Sequence, residues 1–292
     1  MDIVFNINFL GMEGLGPTLT SLVKNCSNSQ ELTLWFFCSN LKDQDKSNIR
    51  YLLNHVNYKG TVKFIDYDAQ ARFGHLRPLH GDWTAYGRLL IGENILSERA
   101  LYLDSDLVIL LDVLSLKDIN FNGEVFAAVY GCSLEWALDH TFFTTHLNWA
   151  LDKAYFNSGV ILFNLEKWRE GDYTAKWNAL AEKYPQELIS HDQTLLNAIC
   201  DGEFLQLLKK YNNEWSPSMK KPDDADHSII HFVGSPKPWD VFGESIHQGF
   251  EIWNSYTTDF WKRKYGKLSL VKISRAWRIK KSVVRSLISR KE

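Results

Sequence analysis

An α/β fold with a mixed, largely parallel central sheet is predicted, because strands and helices alternate along the first part of the chain. DIVFNI is typical of a first strand, and GLGPTLTSLVKNC of a glycine-rich turn that enters a helix with Pro17 in its first turn. The strands LTLWFFCSN and VKFIDYD follow, separated by the amphipathic helix IRYLLNHV. This β-α-β-α-β order favours parallel strands joined by helical crossovers.

The next elements bring the chain to a pair of acids. TAYGRLLIGENIL has helical spacing and precedes an apolar strand that ends at Asp104. Because ligands of such sheets bind beyond the carboxyl ends of the strands, we expect a ligand near Asp104. Further strands are predicted in GEVFAAVYG, YFNSGVILFNLEKW, FLQLL and SIIHFVG, and helices in residues 165–183, 190–200 and 245–262.

Composition narrows the class of protein. The 292 residues, 45% of them hydrophobic, suffice for a sizeable core. The four cysteines form no C-x-x-C pair, which disfavours a disulfide framework or a thiolate metal site. The N-terminus has neither a basic region nor a long apolar run, so we expect a cytoplasmic protein without a transmembrane segment.

The charge of the chain is unevenly distributed. Residues 262–292 carry twelve Lys or Arg and one acid, whereas residues 1–261 carry 21 basic and 34 acidic residues. The C-terminal stretch also has an apolar stripe at helical spacing. We predict a basic amphipathic segment that binds an anionic membrane surface, with a solvated tail or packing on the acidic body as alternatives. Nucleic acid is not expected as a partner.

The motif Asp104-Ser105-Asp106 admits three interpretations. It can be a polar turn in which one Asp caps the next element, or two carboxylates that converge on a divalent metal. With Val108 it also fits the D-x-D-x-[TV] pattern of haloacid-dehalogenase-type phosphohydrolases. A long α/β region precedes Asp104, and the later acids Asp223 and Asp224 lie in a polar loop, which makes the phosphohydrolase the less favoured alternative.

A second motif, HFVGSPKPW at residues 231–239, strengthens the metal interpretation. A neutral imidazole at His231 can be a third ligand, Gly234 lets the backbone approach a phosphate, and Lys237 offers a charge to a leaving oxygen. Each feature alone is also typical of an ordinary surface turn. Their combination with the two acids favours a nucleotide-diphosphate site.

Six landmarks stand in order along the chain: DIVF, TAYGRLLIGE, LYLDSD, YFNSGVILFNLEKW, HDQTLLN and HFVGSPKPW. With them the sequence resembles the retaining glycosyltransferases of family eight, which include bacterial lipooligosaccharide galactosyltransferases, lipopolysaccharide glucosyltransferases and glycogenin. The resemblance implies a GT-A type, Rossmann-like nucleotide-sugar-binding domain over residues 1–261. It also implies an enzyme that moves glucose or galactose from a UDP-sugar to a surface glycan, which can be lipid-linked, with an alpha linkage.

The resemblance assigns roles to individual residues. It makes Asp104, Asp106 and His231 the ligands of Mn²⁺ or Mg²⁺, and Asp192, Gln193 and Lys237 the catalytic groups. A weaker candidate for the acceptor side is His80. The residues expected to contact the donor are Asn6, Asn8, Arg88, Ser105, Asn157, Asp192, Gln193, Gly234 and Lys237.

Two of these assignments have competing interpretations. Without the family, Arg88 reads as an arginine on a helix surface. Asn6 and Asn8 stand where family members usually have an Asp that accepts a hydrogen bond from uracil; an Asn carbonyl can accept the same bond. Because Gln193 is an amide and a poor nucleophile, front-face attack by the acceptor is favoured over a covalent intermediate. A non-catalytic nucleotide-sugar-binding protein and a membrane-surface scaffold built on the basic tail are the non-enzyme alternatives. We expect an enzyme in the cytoplasm that is peripheral on the inner face of the cytoplasmic membrane.

Overall fold

A computed structural model describes residues 1–289, with side chains as far as residue 284 in the last helix. Residues 290–292 of the predicted membrane-association segment lie outside it. The strands are β1 (Asp2–Ile7), β2 (Thr33–Ser39), β3 (Thr61–Tyr67), β4 (Arg99–Leu103), β5 (Leu107–Ile109), β6 (Phe126–Ser133), β7 (Ala154–Asn164), β8 (Leu205–Leu207), β9 (Asn213–Glu214) and β10 (Ile229–His231). The α-helices are α1 (Met12–Asn25), α2 (Asp43–His55), α3 (Ala69–Phe73), α4 (Ile91–Asn94), α5 (His140–His146), α6 (Leu165–Glu170), α7 (Tyr173–Lys183), α8 (Asp192–Ile199), α9 (Gly243–Ile246), α10 (Phe250–Ser255), α11 (Asp259–Tyr265) and α12 (Leu270–Ser289).

The central sheet has seven strands in the order β3-β2-β1-β4-β7-β6-β8. β1 is parallel to β2 and β4, and β2 is parallel to β3. β7 is antiparallel to both β4 and β6, whereas β8 is parallel to β6. The predicted mixed, largely parallel sheet is therefore confirmed. Helices cover both of its faces, so that strand residues such as Val4 and Phe5 are fully buried on opposite sides.

Several predicted helices are divided. Residues 165–183 form α6 and α7, separated by Asp172, whose φ of 45° lies in the left-handed region and whose side chain caps α7 at Ala175. Residues 245–262 contain three short helices instead of one. The segment Thr84–Leu90 is a 3-10 helix that continues into α4. These breaks follow from caps and turns that interrupt the apolar spacing.

The glycine-rich segment predicted as a turn is instead part of α1, with Pro17 inside the helix. A Cβ on Gly14 would collide with the carbonyl of Ser105 and lie 3.0 Å from the Trp239 ring. A Cβ on Gly16 would overlap the indole of Trp261. These glycines therefore allow α1 to approach Ser105 and Trp261 closely. They do not form a left-handed turn.

A second sheet joins β5, β10 and β9. The outer edge of β5 is paired with side chains of α1. Thr18 Oγ1 accepts from Leu107 N at 3.1 Å, Ser21 Oγ accepts from Ile109 N at 2.9 Å, and Asn25 Nδ2 donates to the Ile109 carbonyl at 2.8 Å. One helix face thus replaces a neighbouring strand and satisfies the backbone of β5.

The C-terminal helix α12 packs against the body through its cations. Lys272 Nζ lies 2.5 Å from Glu13 Oε1, and Arg275 Nε lies 2.6 Å from Asp240 Oδ1. Helical spacing places four apolar residues of α12 opposite Lys272 and Arg275, and each of them is more than half exposed: Leu270, Ile273, Trp277 and Val284. The helix is thus held by charge and presents its apolar stripe outward.

The predicted boundary between residues 261 and 262 falls inside α11. Tyr265, near the end of this helix, donates a hydrogen bond of 2.8 Å to Asp45 and accepts one of 2.9 Å from Asn48. The residues just after the boundary are thus bonded to α2. Among the described helices, none combines the length and the apolar character that crossing a bilayer requires.

The contact between α12 and the body gives a pH-dependent prediction. Burial raises the pKa of Glu13 to about 7, although Lys272 acts in the opposite direction. Since a raised carboxyl pKa means that the folded state binds the proton more tightly, stability should fall as pH rises from about 4.5 to 7. The free energy of unfolding of the wild type should therefore decrease over this window relative to Glu13→Gln, which cannot ionise. Urea unfolding of both proteins at about pH 5 and pH 7.5 measures the difference; a difference independent of pH would contradict the assignment.

Candidate active site

Asp104 and Asp106 lie in the bend between β4 and β5. Asp104 N donates to the Gly159 carbonyl of β7 at 2.8 Å, and Phe232 N, after β10, donates to the Asp106 carbonyl at 3.1 Å. The carbonyl of Ser105 between them accepts from Thr18 Oγ1 of α1 at 3.1 Å. Each residue of the motif is thereby fixed to a different element, and the two carboxylates converge because the chain bends, not because a straight strand carries them.

His231 reaches the acids through the second sheet. β10 runs antiparallel to β5, with His231 paired to Leu107, directly after Asp106. The Nε2 atom of His231 lies 3.3 Å from Asp106 Oδ1 and 3.9 Å from Asp104 Oδ2. The predicted group of Asp104, Asp106 and His231 therefore assembles, although more than a hundred residues separate its parts in sequence.

The group fits a divalent cation. One ligand atom from each of the three residues lies within 4.8 Å of the others. Oδ1 of Asp106 is buried and accepts no hydrogen bond from the described residues, because the His231 contact has an ion-pair distance without hydrogen-bond geometry. Two carboxylate oxygens and one imidazole nitrogen suit Mn²⁺ or Mg²⁺ better than a soft metal.

The imidazole of His231 is oriented from behind. Its Nδ1 lies 2.9 Å from Asn212 Oδ1, which accepts only if Nδ1 carries the proton, leaving Nε2 free to face the acids. Asn212 Nδ2 in turn donates to Asn157 Oδ1 at 3.1 Å. Burial alone would lower the pKa of His231, but Asp106 and Asp104 outweigh it and raise the pKa. A Cβ on Gly159 would collide with this ring, which explains the glycine in YFNSGV.

Arg88 is buried between two carboxylates. Its guanidinium is 3.0 Å from Asp104 through Nη2 and 3.0 Å from Asp192 through Nε, and it also donates to the Ser158 carbonyl. Burial would lower the pKa of Arg88, but the two acids outweigh it and raise the pKa. The interpretation of Arg88 as a surface arginine is therefore wrong, because the 3-10 helix packs on β1 and α8 and its Arg88 side chain reaches the Tyr102 ring of β4.

Asp192 and Gln193 begin α8 beside this arginine. Burial raises the pKa of Asp192 to about 6, although Arg88 lowers it, and Ser158 Oγ donates to its carboxylate at 3.3 Å. Gln193 Oε1 accepts from Ser158 N at 3.0 Å, and its Nε2 donates to Tyr155 Oη at 3.3 Å. The amide of Gln193 is thus held in one orientation.

Lys237 contacts the carboxylate oxygen of Asp106 that does not face His231. Its Nζ lies 2.8 Å from Asp106 Oδ2 and also donates to the Phe232 carbonyl. Burial would raise the pKa of Asp106, but Lys237 and His231 outweigh it and lower the pKa, so that Asp106 is ionised. Gly234, with φ of 72°, has a conformation that favours glycine, and a Cβ there would lie 3.9 Å from Pro217 Cδ.

Asn6 and Asn8 are both engaged within the protein. Asn6 Oδ1 accepts from Tyr67 Oη at 2.6 Å, and its amide donates to the Thr84 carbonyl. Asn8 caps the following 3-10 turn, and its amide donates to Asp82 at 3.1 Å. His80 is exposed on the turn closed by Leu79 and Asp82. The structure therefore places Asn6 against the start of the 3-10 helix that carries Arg88, Asn8 beside Asp82, and His80 on the exposed turn next to Asp82.

Four residues of the site were not predicted from the sequence: Tyr102, Tyr155, Ser158 and Asn212. Tyr102 Oη donates to Asp104 Oδ1 at 2.6 Å, and the Arg88 guanidinium lies 4.3 Å from its ring centre. The alternation of a strand could have indicated Tyr102, since it precedes Asp104 by two positions and shares its face. Asn212 gives no comparable signal, because only the long-range pairing of β9 with β10 brings it near His231.

The profile of the family described as glycosyl transferase family 8 matches residues 2–242. The chain belongs to glycosyl transferase family 8. This membership confirms the predicted resemblance and makes the protein a glycosyltransferase, which acts on a nucleotide-sugar donor and a glycan acceptor. It also sets aside the phosphohydrolase alternative for Asp104, Asp106 and Val108.

Curated proteins of several lengths are similar to the chain. General stress protein A of Bacillus subtilis (strain 168) is 25% identical, over 77% of this chain and 82% of its own length. The lipopolysaccharide 1,3-galactosyltransferase of Salmonella typhimurium is 26% identical, over 83% of this chain and 74% of its own. The match to glycosyltransferase GlyF of Streptococcus pneumoniae covers only 48% of that protein.

A solved structure of the galactosyltransferase LgtC, in complex with donor and acceptor sugar analogues, superposes with a TM-score of 0.72. It is 22% identical, and the match covers 92% of this chain and 98% of that one. At this identity the likeness concerns the fold. It confirms the predicted GT-A architecture of this family 8 glycosyltransferase.

The position of Arg88 gives a stability prediction for this family 8 site. Arg88→Met should lower the free energy of unfolding by about 3–5 kcal/mol, because it leaves the buried carboxylate of Asp192 and the partly buried one of Asp104 without their cation. Arg72→Met is the matched control: Arg72 is 47% exposed and pairs with Glu93, so its loss should cost under about 1 kcal/mol. Urea unfolding monitored by tryptophan fluorescence compares the three proteins, and equal small losses would show that Arg88 does not compensate these acids.

Proposed function

We propose that the protein transfers a hexose, glucose or galactose, from a UDP-sugar to a glycan acceptor and retains the alpha configuration. The observation that carries this proposal is the convergence of Asp104, Asp106 and His231 beside the ammonium of Lys237. The choice of sugars is supported by relatives named lipopolysaccharide 1,3-galactosyltransferase and lipopolysaccharide 1,2-glucosyltransferase.

The diphosphate of the donor would lie between the three ligands and the loop that carries Gly234 and Lys237. A bound Mn²⁺ or Mg²⁺ supplies Lewis-acid stabilisation of negative charge on the leaving diphosphate. Lys237 adds a fixed positive charge on the same side, and its effect grows as the sugar–oxygen bond breaks. The backbone of Gly234 offers a close approach because no side chain blocks it. Asp106 aligns the ammonium, which is 2.8 Å away.

The sugar would face Asp192, Gln193 and Asn157. Asp192, fixed by Arg88 and Ser158, can orient sugar hydroxyls and stabilise positive charge on the ring. Gln193 holds its carbonyl toward Ser158 N and has no carboxylate to form a bond with the sugar. Attack by the acceptor from the face of the leaving group therefore fits these residues better than a double displacement. The leaving phosphate oxygen can take the acceptor's proton, so that no separate base is needed.

Recognition of uridine would fall to the region of Asn6 and Asn8. Asn6 Oδ1 already accepts from Tyr67, and Asn8 Oδ1 accepts from the backbone N of Leu10 and Gly11. The turn that contains Asp82, which Asn8 contacts, is therefore the better candidate for base contacts. The acceptor would approach from the rim that carries His80. These assignments predict a preference for a UDP-sugar over other nucleotide sugars.

The proposed acceptor is a surface glycan on a lipid, met at the inner face of the cytoplasmic membrane. Support comes from α12, whose exposed Ile273 and Trp277 point away from the body that Lys272 and Arg275 contact. A helix with a basic side and an apolar side binds anionic bilayers at the headgroup level. The enzyme would then be peripheral, with the segment of residues 262–292 as its membrane contact.

The donor and metal dependence test the proposal. Release of UDP from UDP-glucose and UDP-galactose should require Mn²⁺ or Mg²⁺. It should fall by about a hundredfold or more in Asp104→Asn, Asp106→Asn and His231→Ala, since each removes one ligand. Asp201→Asn, a surface acid paired with Lys153, serves as the control and should stay near the wild type. Calorimetric titration with Mn²⁺ adds a readout that does not depend on turnover.

Three results would contradict the proposal. Metal-independent activity that survives all three ligand substitutions would make the site assignment wrong. Tight binding of UDP-sugar without turnover of any acceptor would favour a non-catalytic binding protein. A preference for another nucleotide would be compatible with glycosyl transfer but would reject the assignment of uridine recognition to the region of Asn8.

The membrane contact is tested by a change on the outward face of α12. Replacing Ile273 and Trp277 together by Ser should reduce sedimentation with phosphatidylglycerol vesicles by about tenfold or more, because each buried apolar side chain contributes about 1.5–3 kcal/mol. Trp136→Ser is the matched control, since Trp136 is 76% exposed on a different part of the surface. Equal binding of all three proteins, or no binding at low salt, would reject the membrane proposal.

A further inference from the structure

The loop of residues 235–240, which carries Lys237, packs through Trp239 against the rings of Phe232 and Trp253 and borders open space elsewhere. A cavity of about 330 Å³ lies behind it, lined by Pro238, Trp239 and Asp240 together with Glu13 and residues of α10 and α11. A loop with open space behind it can move unless polar contacts fix it. The position of the Lys237 ammonium therefore depends on what holds the loop from that side.

Asp240 is the residue that fixes this loop. Its Oδ2 accepts from the backbone N of Lys237 at 2.7 Å, and its own N donates to the Lys237 carbonyl at 3.1 Å. The two residues thus close a small ring of hydrogen bonds around the turn. Because the side chain of Asp240 is only 5% exposed, its charge needs a cation close by.

Arg275 of α12 supplies this cation. Its Nε donates to Asp240 Oδ1 at 2.6 Å and its Nη2 to Oδ2 at 3.0 Å, a two-pronged contact that fixes the plane of the carboxylate. A continuous series of contacts therefore runs from α12 through Asp240 and the Lys237 backbone to the ammonium beside Asp106.

We infer that Arg275 is a positioning residue for transfer: through Asp240 it holds the 235–240 loop so that Lys237 faces the diphosphate site. The inference rests on the proposed role of Lys237 at the leaving diphosphate. It assigns α12 a part in the chemistry, in addition to any contact with a membrane. Truncation before α12 should then impair transfer even to a small soluble acceptor.

Arg275→Ala and Lys272→Ala in the full-length protein separate this role from general docking of the helix. Lys272 binds α12 to Glu13 and does not contact the loop, so Lys272→Ala should stay within about twofold of the wild type. Arg275→Ala should lower kcat about tenfold with KM changed less than about threefold, because Lys237 acts on charge that grows in the transition state. Arg275→Lys, which keeps the charge but loses the fork, should fall between the two.

The decisive comparison is a double-mutant cycle with Lys237→Ala. If Arg275 acts through Lys237, Arg275→Ala in the Lys237→Ala background should cost less than about twofold. The same tenfold loss in both backgrounds, or an equal loss in Lys272→Ala, would overturn the inference. Hydrogen exchange of the amides of residues 235–242 gives a readout independent of turnover: it should accelerate in Arg275→Ala and not in Lys272→Ala. Full activity of Lys237→Ala would refute the proposed function instead, and unchanged exchange in Arg275→Ala would refute this inference in either case.

Discussion

The buried guanidinium of Arg88 is the interaction on which the site depends. Three carboxylates, those of Asp104, Asp106 and Asp192, converge at the carboxyl end of β4, and repulsion between them would open the structure if no cation were present. Arg88 bridges Asp104 and Asp192, while Lys237 compensates Asp106. Because Tyr102 packs against Arg88 and bonds to Asp104, the same contacts join the strand, the 3-10 helix and α8 into one frame.

Arg88 and Lys237 differ in their chemistry, and this difference suits them to different roles. Arg88 has several donors in a fixed plane and is enclosed by protein, so it can hold two acids at set distances. Lys237 has a compact ammonium on a flexible stem and sits on a loop, so it can turn from Asp106 to a phosphate oxygen with little rearrangement. A rigid cation therefore fixes Asp104 and Asp192, and an adaptable one lies beside Asp106, where it would serve the proposed leaving group.

Local sequence patterns predicted much of this arrangement. Alternating strands and helices predicted the parallel part of the sheet, and the apolar strand before Asp104 placed the acids at its ligand-binding edge. The motif HFVGSPKPW indicated His231 and Lys237, and the order of the family landmarks related them to Asp104, which local spacing cannot do. The burial of Arg88 could not be predicted from local patterns, because it depends on how the 3-10 helix packs on the central sheet.

Tertiary contacts explain the expectations that were wrong. Gly14 and Gly16 have the composition of a turn, yet they are helical because Ser105 and Trp261 need the space that a side chain would fill. The division at residue 261 stays a prediction, and it did not indicate that Tyr265 bonds to α2 or that Arg275 reaches Asp240. Such contacts between distant residues leave no periodicity that a single sequence could display.

The bend at residues 104–106 lies between two separate sheets, β4 belonging to the central sheet and β5 to the small one. Asp104 is anchored to β7 of the first sheet, and His231 belongs to β10 of the second. An ion held by Asp104, Asp106 and His231 would therefore fasten the two sheets to each other. Metal content would then determine how rigidly the small sheet, with the loop that follows β10, is attached to the rest of the protein. If transfer requires this ion, as proposed, cells depleted of the metal would contain an enzyme that is looser as well as inactive, and thus more accessible to proteases at this junction.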